Sequence, residues 1–225
     1  MSRRELTFGE KLFLGVMQTM SRLTQGYEVG FAEELIREHG IKGLREWGNK
    51  TLGTYNELCA HFGERDAHLL ASFASFWNGC DYCAYGHLLA HNLHAFEENG
   101  SLFPIYEGEL LALMRRRDGE NLQMLEAQLG KPEYAKRLAL LKRQYALQSG
   151  EAQPDPSQPD DAFLVKSIGL YQWVNECSIV VDAPAPPLGT IAKKKALQRT
   201  YEQARAAQQA TGASQPSTSA PVAQG

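Results

Sequence analysis

ASFASFWNGCDYCAYGH, residues 71–87, is apolar without strand-like alternation as far as Trp77, breaks at Asn78-Gly79, and then presents two cysteines and a histidine at helical spacing. Upstream, Glu64 to Phe76 is rich in Leu, Ala and Phe and reads as a buried helix. The Asn-Gly dipeptide favours a turn or a cap. Downstream, Leu88, Leu89, Leu93 and Phe96 continue a helical pattern to Asn99-Gly100. Two consecutive helices meeting just before the cysteines is the expectation that sets the fold class.

The same period extends outward. Thr7 with Glu10 has capping-box spacing ahead of Leu12, Phe13, Val16, Met17 and Met20. Phe31 to His39 reads as a helix stopping at Gly40, and Thr51 to Phe62 as another. Further helices are expected at Glu107 to Arg116, Glu120 to Leu129, Pro132 to Leu147, Asp161 to about Val180 and Thr190 to Ala207. Ile179 to Val181 has the alternative of a short strand. Pro154, Pro156 and Pro159 make residues 150–160 a loop, and Pro184, Pro186 and Pro187 make residues 183–189 extended. The sequence predicts one all-α helical bundle over residues 1–207, followed by a Ser/Thr/Pro/Ala/Gln/Gly-rich disordered tail over 208–225.

The chain has 225 residues, 43% of them hydrophobic, enough for a substantial core. With 23 basic and 26 acidic residues the net charge is −3, so there is no nucleic-acid footprint, and small molecules or other proteins are the expected partners. No run approaches the roughly 18 apolar residues of a membrane span. Glu5, Glu10 and Lys11 interrupt any signal core, which places the protein by default in the cytoplasm. Thiols stay reduced there, so a close cysteine pair is more often catalytic or metal-binding than structural.

Cys80, Cys83, His87 and His91 follow C-x-x-C-x-x-x-H-x-x-x-H. Residues three or four apart share a helix face, so one imidazole can address one thiol. The attacking species is the thiolate, and a helix N-terminus with a nearby histidine favours it. A pair at this spacing can close a disulfide, so one oxidised sulfur is resolved by the other. Three rival readings exist. Cys80, Cys83 and His87 could ligate zinc, although four ligands along one helix cannot surround one ion. The cysteines could be inert core residues. Covalent haem attachment fails because Ala84, not histidine, follows the second cysteine. His91 and His94 read as partly exposed helix residues, and Cys59 and Cys177 as core residues. Phe73, Phe76 and Trp77 read as packing, with an organic-substrate pocket as the alternative.

The run from Ala71 to His87, an apolar helix followed by Asn-Gly-Cys-x-Tyr-Cys-x-x-x-His, resembles the redox-active branch of the alkylhydroperoxidase D-like and carboxymuconolactone decarboxylase superfamily. The resemblance covers some twenty residues. It implies an all-α fold assembling into trimers or hexamers, and reduction of hydroperoxides with electrons from a dithiol such as a lipoyl protein, without metal or organic cofactor. It casts Cys83 as the peroxidatic thiol, Cys80 as the resolving thiol and His87 as part of a proton relay. The family usually has a glutamate twelve residues before the first cysteine; His68 stands there in this chain, with Glu64 one turn upstream. His68 can still move protons. The alternatives are a decarboxylase-like enzyme acting on a lactone, which needs no dithiol, or a helical oligomer with a vestigial or metal-binding C-x-x-C.

Overall fold

The computed structural model describes residues 4–114, 118–181 and 185–212, and it is all-α, with no strand among those residues. Helix α1 (Phe8–Gln25) opens on the expected capping box, Thr7 Oγ1 accepting the Glu10 N–H while the Glu10 carboxylate accepts the Thr7 N–H. Its apolar stripe is mostly uncovered: Phe8, Leu12, Val16, Met20 and Leu23 are each more than half exposed. Helix α2 (Ala32–Phe62) merges the two helices expected on either side of Gly40. That glycine, at φ 69° and ψ −177°, leaves the helical region as expected, and the second helix starts directly after it across a kink.

The chain continues through α3 (Glu64–Trp77), α4 (Asp81–Asn99), α5 (Glu107–Leu113), α6 (Asp118–Leu129), α7 (Ala135–Ser149), α8 (Asp161–Ser178) and α9 (Lys195–Gly212). Short 3-10 turns at Pro132–Tyr134 and Thr190–Lys193 precede α7 and α9. The strand alternative at Ile179 to Val181 is not realised, since Ile179 and Val180 form a turn closing α8. Helix α9 begins and ends later than expected, so residues 208–212 of the expected tail are helical. The remainder of that tail, the end of the helix expected to reach Arg116, and Pro184 lie outside the described residues.

Helix α3 is the axis of the bundle. Every residue from Ala67 to Phe76 is buried, because α2, α4, α7 and α8 all pack on it. A helix apolar on every side is stable only in such a position. Ala71, Ala74 and Ala84 let α3 and α4 approach closely, and Ser72 Oγ donates across the seam to the Ala84 carbonyl at 2.7 Å. Gln144 and Gln148 of α7 donate to the Leu70 and Ala74 carbonyls, seating α7 against the axis. At the far end of α4, Asn92 and Tyr201 both donate to buried Glu107, and Arg205 donates to the Phe103 carbonyl. These bonds fasten α9 to the α4–α5 corner and pair the buried Glu107 carboxylate.

Candidate functional site

The turn between α3 and α4 creates the site. The Gly79 N–H bonds to the Phe76 carbonyl and the Cys80 N–H to the Ser75 carbonyl, each at 3.0 Å, which is the Schellman termination of α3. It requires a left-handed residue at position 79, where glycine has φ 74°. Cys80 is thereby both the last residue of that motif and the N-cap of α4. Its sulfur stands at the positive end of the helix, and Cys83 lies one turn inside.

Both cysteines are free thiols and both are buried. Ser178, at the end of α8, links them: the Cys83 thiol donates to Ser178 Oγ at 3.3 Å, and Ser178 Oγ lies 3.1 Å from Cys80 Sγ. The two thiols titrate as a pair. The Cys83 S–H beside it, with the Ser178 hydroxyl, lowers Cys80 to about 7, whereas the charge on Cys80, together with burial, pushes Cys83 well above a free thiol. The thiol that the resemblance casts as peroxidatic is thus not the depressed one: the lowered thiol is Cys80, at the helix end. It is Cys83, however, that lines the cavity described below.

His68 and His87 are brought together as neighbours on facing helices, Nδ1 to Nδ1 at 2.9 Å. Tyr55 Oη lies 2.8 Å from His68 Nε2, and Tyr171 Oη 2.9 Å from His87 Nε2. Tyr55 in turn reaches Glu64 Oε1 at 3.4 Å. The result is a continuous chain, Glu64–Tyr55–His68–His87–Tyr171, running from a partly exposed carboxylate to a buried phenol. Burial lowers His87 to about 3 and, with the neighbouring imidazoles, lowers His68 further below its ordinary range, so both rings are neutral. Each neutral imidazole carries one N–H and one acceptor nitrogen, so the Tyr55–His68–His87–Tyr171 bonds can run in either direction, although Tyr55 donates to the Glu64 carboxylate only when His68 Nε2–H donates to Tyr55. His87 does not address a thiol as its spacing suggested, because Tyr171 and His68 take both its nitrogens.

These groups face a cavity of about 320 Å³ whose lining is mainly apolar, including Val29, Phe31, Trp47, Tyr82, Val174 and Leu188 beside Cys83, His68 and His87. Phe73, Phe76 and Trp77 do not line it; they pack in the second core, the first two fully and Trp77 in part. One wall is the segment 185–189, which lies directly across α4. A Cβ on Gly86 would come within 2.7 Å of Ala185 Cβ and 2.9 Å of the Pro186 carbonyl, so only glycine admits this crossing. The Leu188 N–H donates to the Gly86 carbonyl at 3.1 Å and holds the segment down.

The remaining sequence candidates are placed as follows. His91 is fully buried, not partly exposed, and its Nδ1 donates to the Arg65 carbonyl at 2.8 Å while its ring meets Phe103 edge-on. His94 is half-buried, stacked on His68 with ring centroids 5.7 Å apart. Cys177 is core, but Cys59 is only half-buried. The Cys80, Cys83 and His87 ligand set is not assembled. Among the described residues, Glu64, His68 and His94 are the group whose donor atoms gather, all within 4.8 Å of one another. Tyr55, Tyr171 and Ser178 carry no local motif, and the last two reach the site from 84 and 95 residues away in sequence. Comparison with protein-family models, curated proteins and solved structures finds no match to this chain.

Proposed function

We propose that the protein is a thiol-dependent peroxidase that reduces organic hydroperoxides through Cys83 and Cys80, the pair being restored by an external dithiol such as a lipoyl protein. The observation that carries this reading is Ser178 lodged between the two sulfurs. The Cys83 thiol can pass its proton to Ser178 Oγ while the Ser178 hydroxyl passes its own to the Cys80 thiolate. Charge stored at the helix end thereby moves to the sulfur that faces the cavity.

The Cys83 thiolate then attacks the terminal oxygen of the hydroperoxide. An S–O bond forms, the O–O bond breaks, and the leaving alkoxide takes a proton from Tyr171 Oη, which is resupplied along His87, His68 and Tyr55 by a proton taken up from water at the partly exposed Glu64 end. Sulfur is oxidised to sulfenic acid and the peroxide is reduced to an alcohol. Cys80, now a thiol, condenses with the sulfenic acid, forming the disulfide and releasing water. Exchange with an external dithiol returns both thiols and leaves the donor as its disulfide. The apolar lining and the volume of about 320 Å³ favour a small organic hydroperoxide over hydrogen peroxide. The exposed apolar stripe of α1 supports the expected assembly into a homo-oligomer, since a contiguous apolar patch on one chain commonly marks a contact surface.

The test is turnover of cumene hydroperoxide with dihydrolipoamide as donor. Cys83→Ser abolishes it, and Cys80→Ser both slows the first oxidation, having lost the thiolate that accepts the Cys83 proton, and stops turnover at a sulfenic acid that a dimedone probe traps. Turnover surviving Cys83→Ser unchanged would refute the mechanism.

A further inference from the structure

Glu64 and His68 stand one turn apart on α3, facing His94 on α4, and this grouping serves neither sulfur. His94 Nε2 is buried, makes no hydrogen bond, and points at Glu64 Oε1 from 3.7 Å. His68 Nδ1 is engaged by His87, so an ion would take Nε2, displacing its 2.8 Å hydrogen bond with Tyr55 Oη and interrupting the proton chain there. We infer that Glu64, His68 and His94 bind a divalent transition-metal ion of the zinc class at the edge of the cavity, apart from the thiol pair.

Two imidazoles and one carboxylate are a sufficient donor set for such an ion, with a fourth position left open. For bonds of about 2.0–2.1 Å, tetrahedral ligand atoms stand roughly 3.3 Å apart. The Glu64 and His94 donor atoms stand 3.7 Å apart, within roughly half an ångström of that edge, all three donor atoms lie within 4.8 Å of one another, and Tyr55 Oη sits 3.4 Å from Glu64 and 2.8 Å from His68. The open position is then the one Tyr55 Oη borders, facing the cavity. His68 also has the outer partner a metal-bound histidine needs: in the tautomer in which Nδ1–H donates to His87 Nδ1, the Nε2 lone pair is the one presented to the ion. Gly189 keeps this space clear, because a Cβ there would come within 3.0 Å of His68 Nε2. Glu64 and His94 lie at the partly exposed edge of the fold, which gives the ion a path in.

The inference does not depend on the peroxidase reading, and its test is run on protein without redox-active sulfur. The full chain carrying Cys80→Ser and Cys83→Ser is stripped with chelator and titrated with Zn²⁺ against a chromophoric competitor, then with Co²⁺ followed by visible absorbance. One equivalent should bind, and Co²⁺ should give ligand-field bands without a thiolate charge-transfer band. Glu64→Gln and His94→Asn, both at the edge of the fold, should weaken binding by more than the roughly 10–100-fold that loss of an outer-shell partner costs, with circular dichroism unchanged. Absence of stoichiometric binding, binding only when both cysteines are present, or an affinity indifferent to Glu64→Gln and His94→Asn overturns the assignment.

Discussion

Ser178→Ala tests the sulfur site most directly, because one hydroxyl is removed from between two thiols and little else changes. Ser178 Oγ lies 3.1 Å from Cys80 Sγ and has no other role than its contacts with Cys83 and with its own helix, at the Val174 carbonyl and Asn175 Oδ1. A hydrogen bond to a charged group is worth roughly 1.5–3 kcal/mol. At about 1.4 kcal/mol per pKa unit, its loss raises Cys80 by about one unit or more. The lower figure is the better one, because the Cys83 S–H, the larger influence on Cys80, remains in place. Cys80 starts at about 7, so the variant should titrate near that of an ordinary thiol. The assay is ultraviolet thiolate absorbance against pH. Cys177, pushed up to about 11 by burial, and Cys59, also raised, ionise later and leave the first step clear. The hydroxyl occupies little volume, so the melting temperature should change little. An unchanged first midpoint in Ser178→Ala would show that Ser178 does not hold the thiolate, and the proton transfer assigned to it would go too.

Two further substitutions probe the surroundings. Gly86→Ala gains up to about 1 kcal/mol of helix propensity but forces a methyl against Ala185, Leu188 and the Pro186 carbonyl, all within 2.9 Å. Overpacking of that kind costs roughly 1–3 kcal/mol, so denaturant unfolding should show net destabilisation; a stabilised variant would mean that the 185–189 segment does not rest on α4. His91 is held neutral in the fold, at about 4 against an ordinary 6.5, chiefly by burial. The unfolded chain therefore binds the extra proton as pH falls through 6.5, and His91 alone removes about 1.4 kcal/mol of stability per pH unit between about 6.5 and 4. Stability curves of His91→Gln should lose one proton's worth of slope across that window, and identical slopes would count against the buried neutral ring.

The fold class was legible because α3 and α4 combine helical spacing with unambiguous punctuation. Asn78-Gly79 is realised as a Schellman turn, and Thr7 with Glu10 as a capping box. Gly40 does break the helix as its residue type suggests, but nothing local showed that the chain re-enters a helix directly after it, well ahead of Thr51. The site was half legible. Cys80, Cys83, His87 and His68 lie on one helical hairpin, so their proximity follows from local geometry. How far the Cys80 thiol is lowered depends in part on Ser178, and which partners the imidazoles bond depends on Tyr55 and Tyr171, all supplied by α2 and α8. No local pattern marks a serine or tyrosine that becomes functional only when a distant helix packs.

His68 stands where the proposed peroxidase reading would expect a glutamate, and a histidine there has a physical consequence. A carboxylate buried at that point would either stay protonated or draw a proton onto His87, since an unpaired buried anion is strongly disfavoured. A second histidine avoids both outcomes: two neutral rings between two phenols carry a proton by reversing their hydrogen bonds, and no net charge is buried. His68→Gln separates conduction from architecture, because glutamine keeps a donor and an acceptor in the chain but cannot exchange a proton between them. If His68 relays protons to the leaving alkoxide, the single-turnover rate of sulfenic acid formation should fall on the order of 10²–10⁴-fold in His68→Gln, with the thiol titration near pH 7 unmoved. His68→Glu should instead retain part of the rate and add a second ionisation to its pH profile, as the new carboxylate and His87 share a proton. A His68→Gln rate equal to that of the native chain would leave the histidine pair a packing feature, with the alkoxide protonated from solvent in the cavity.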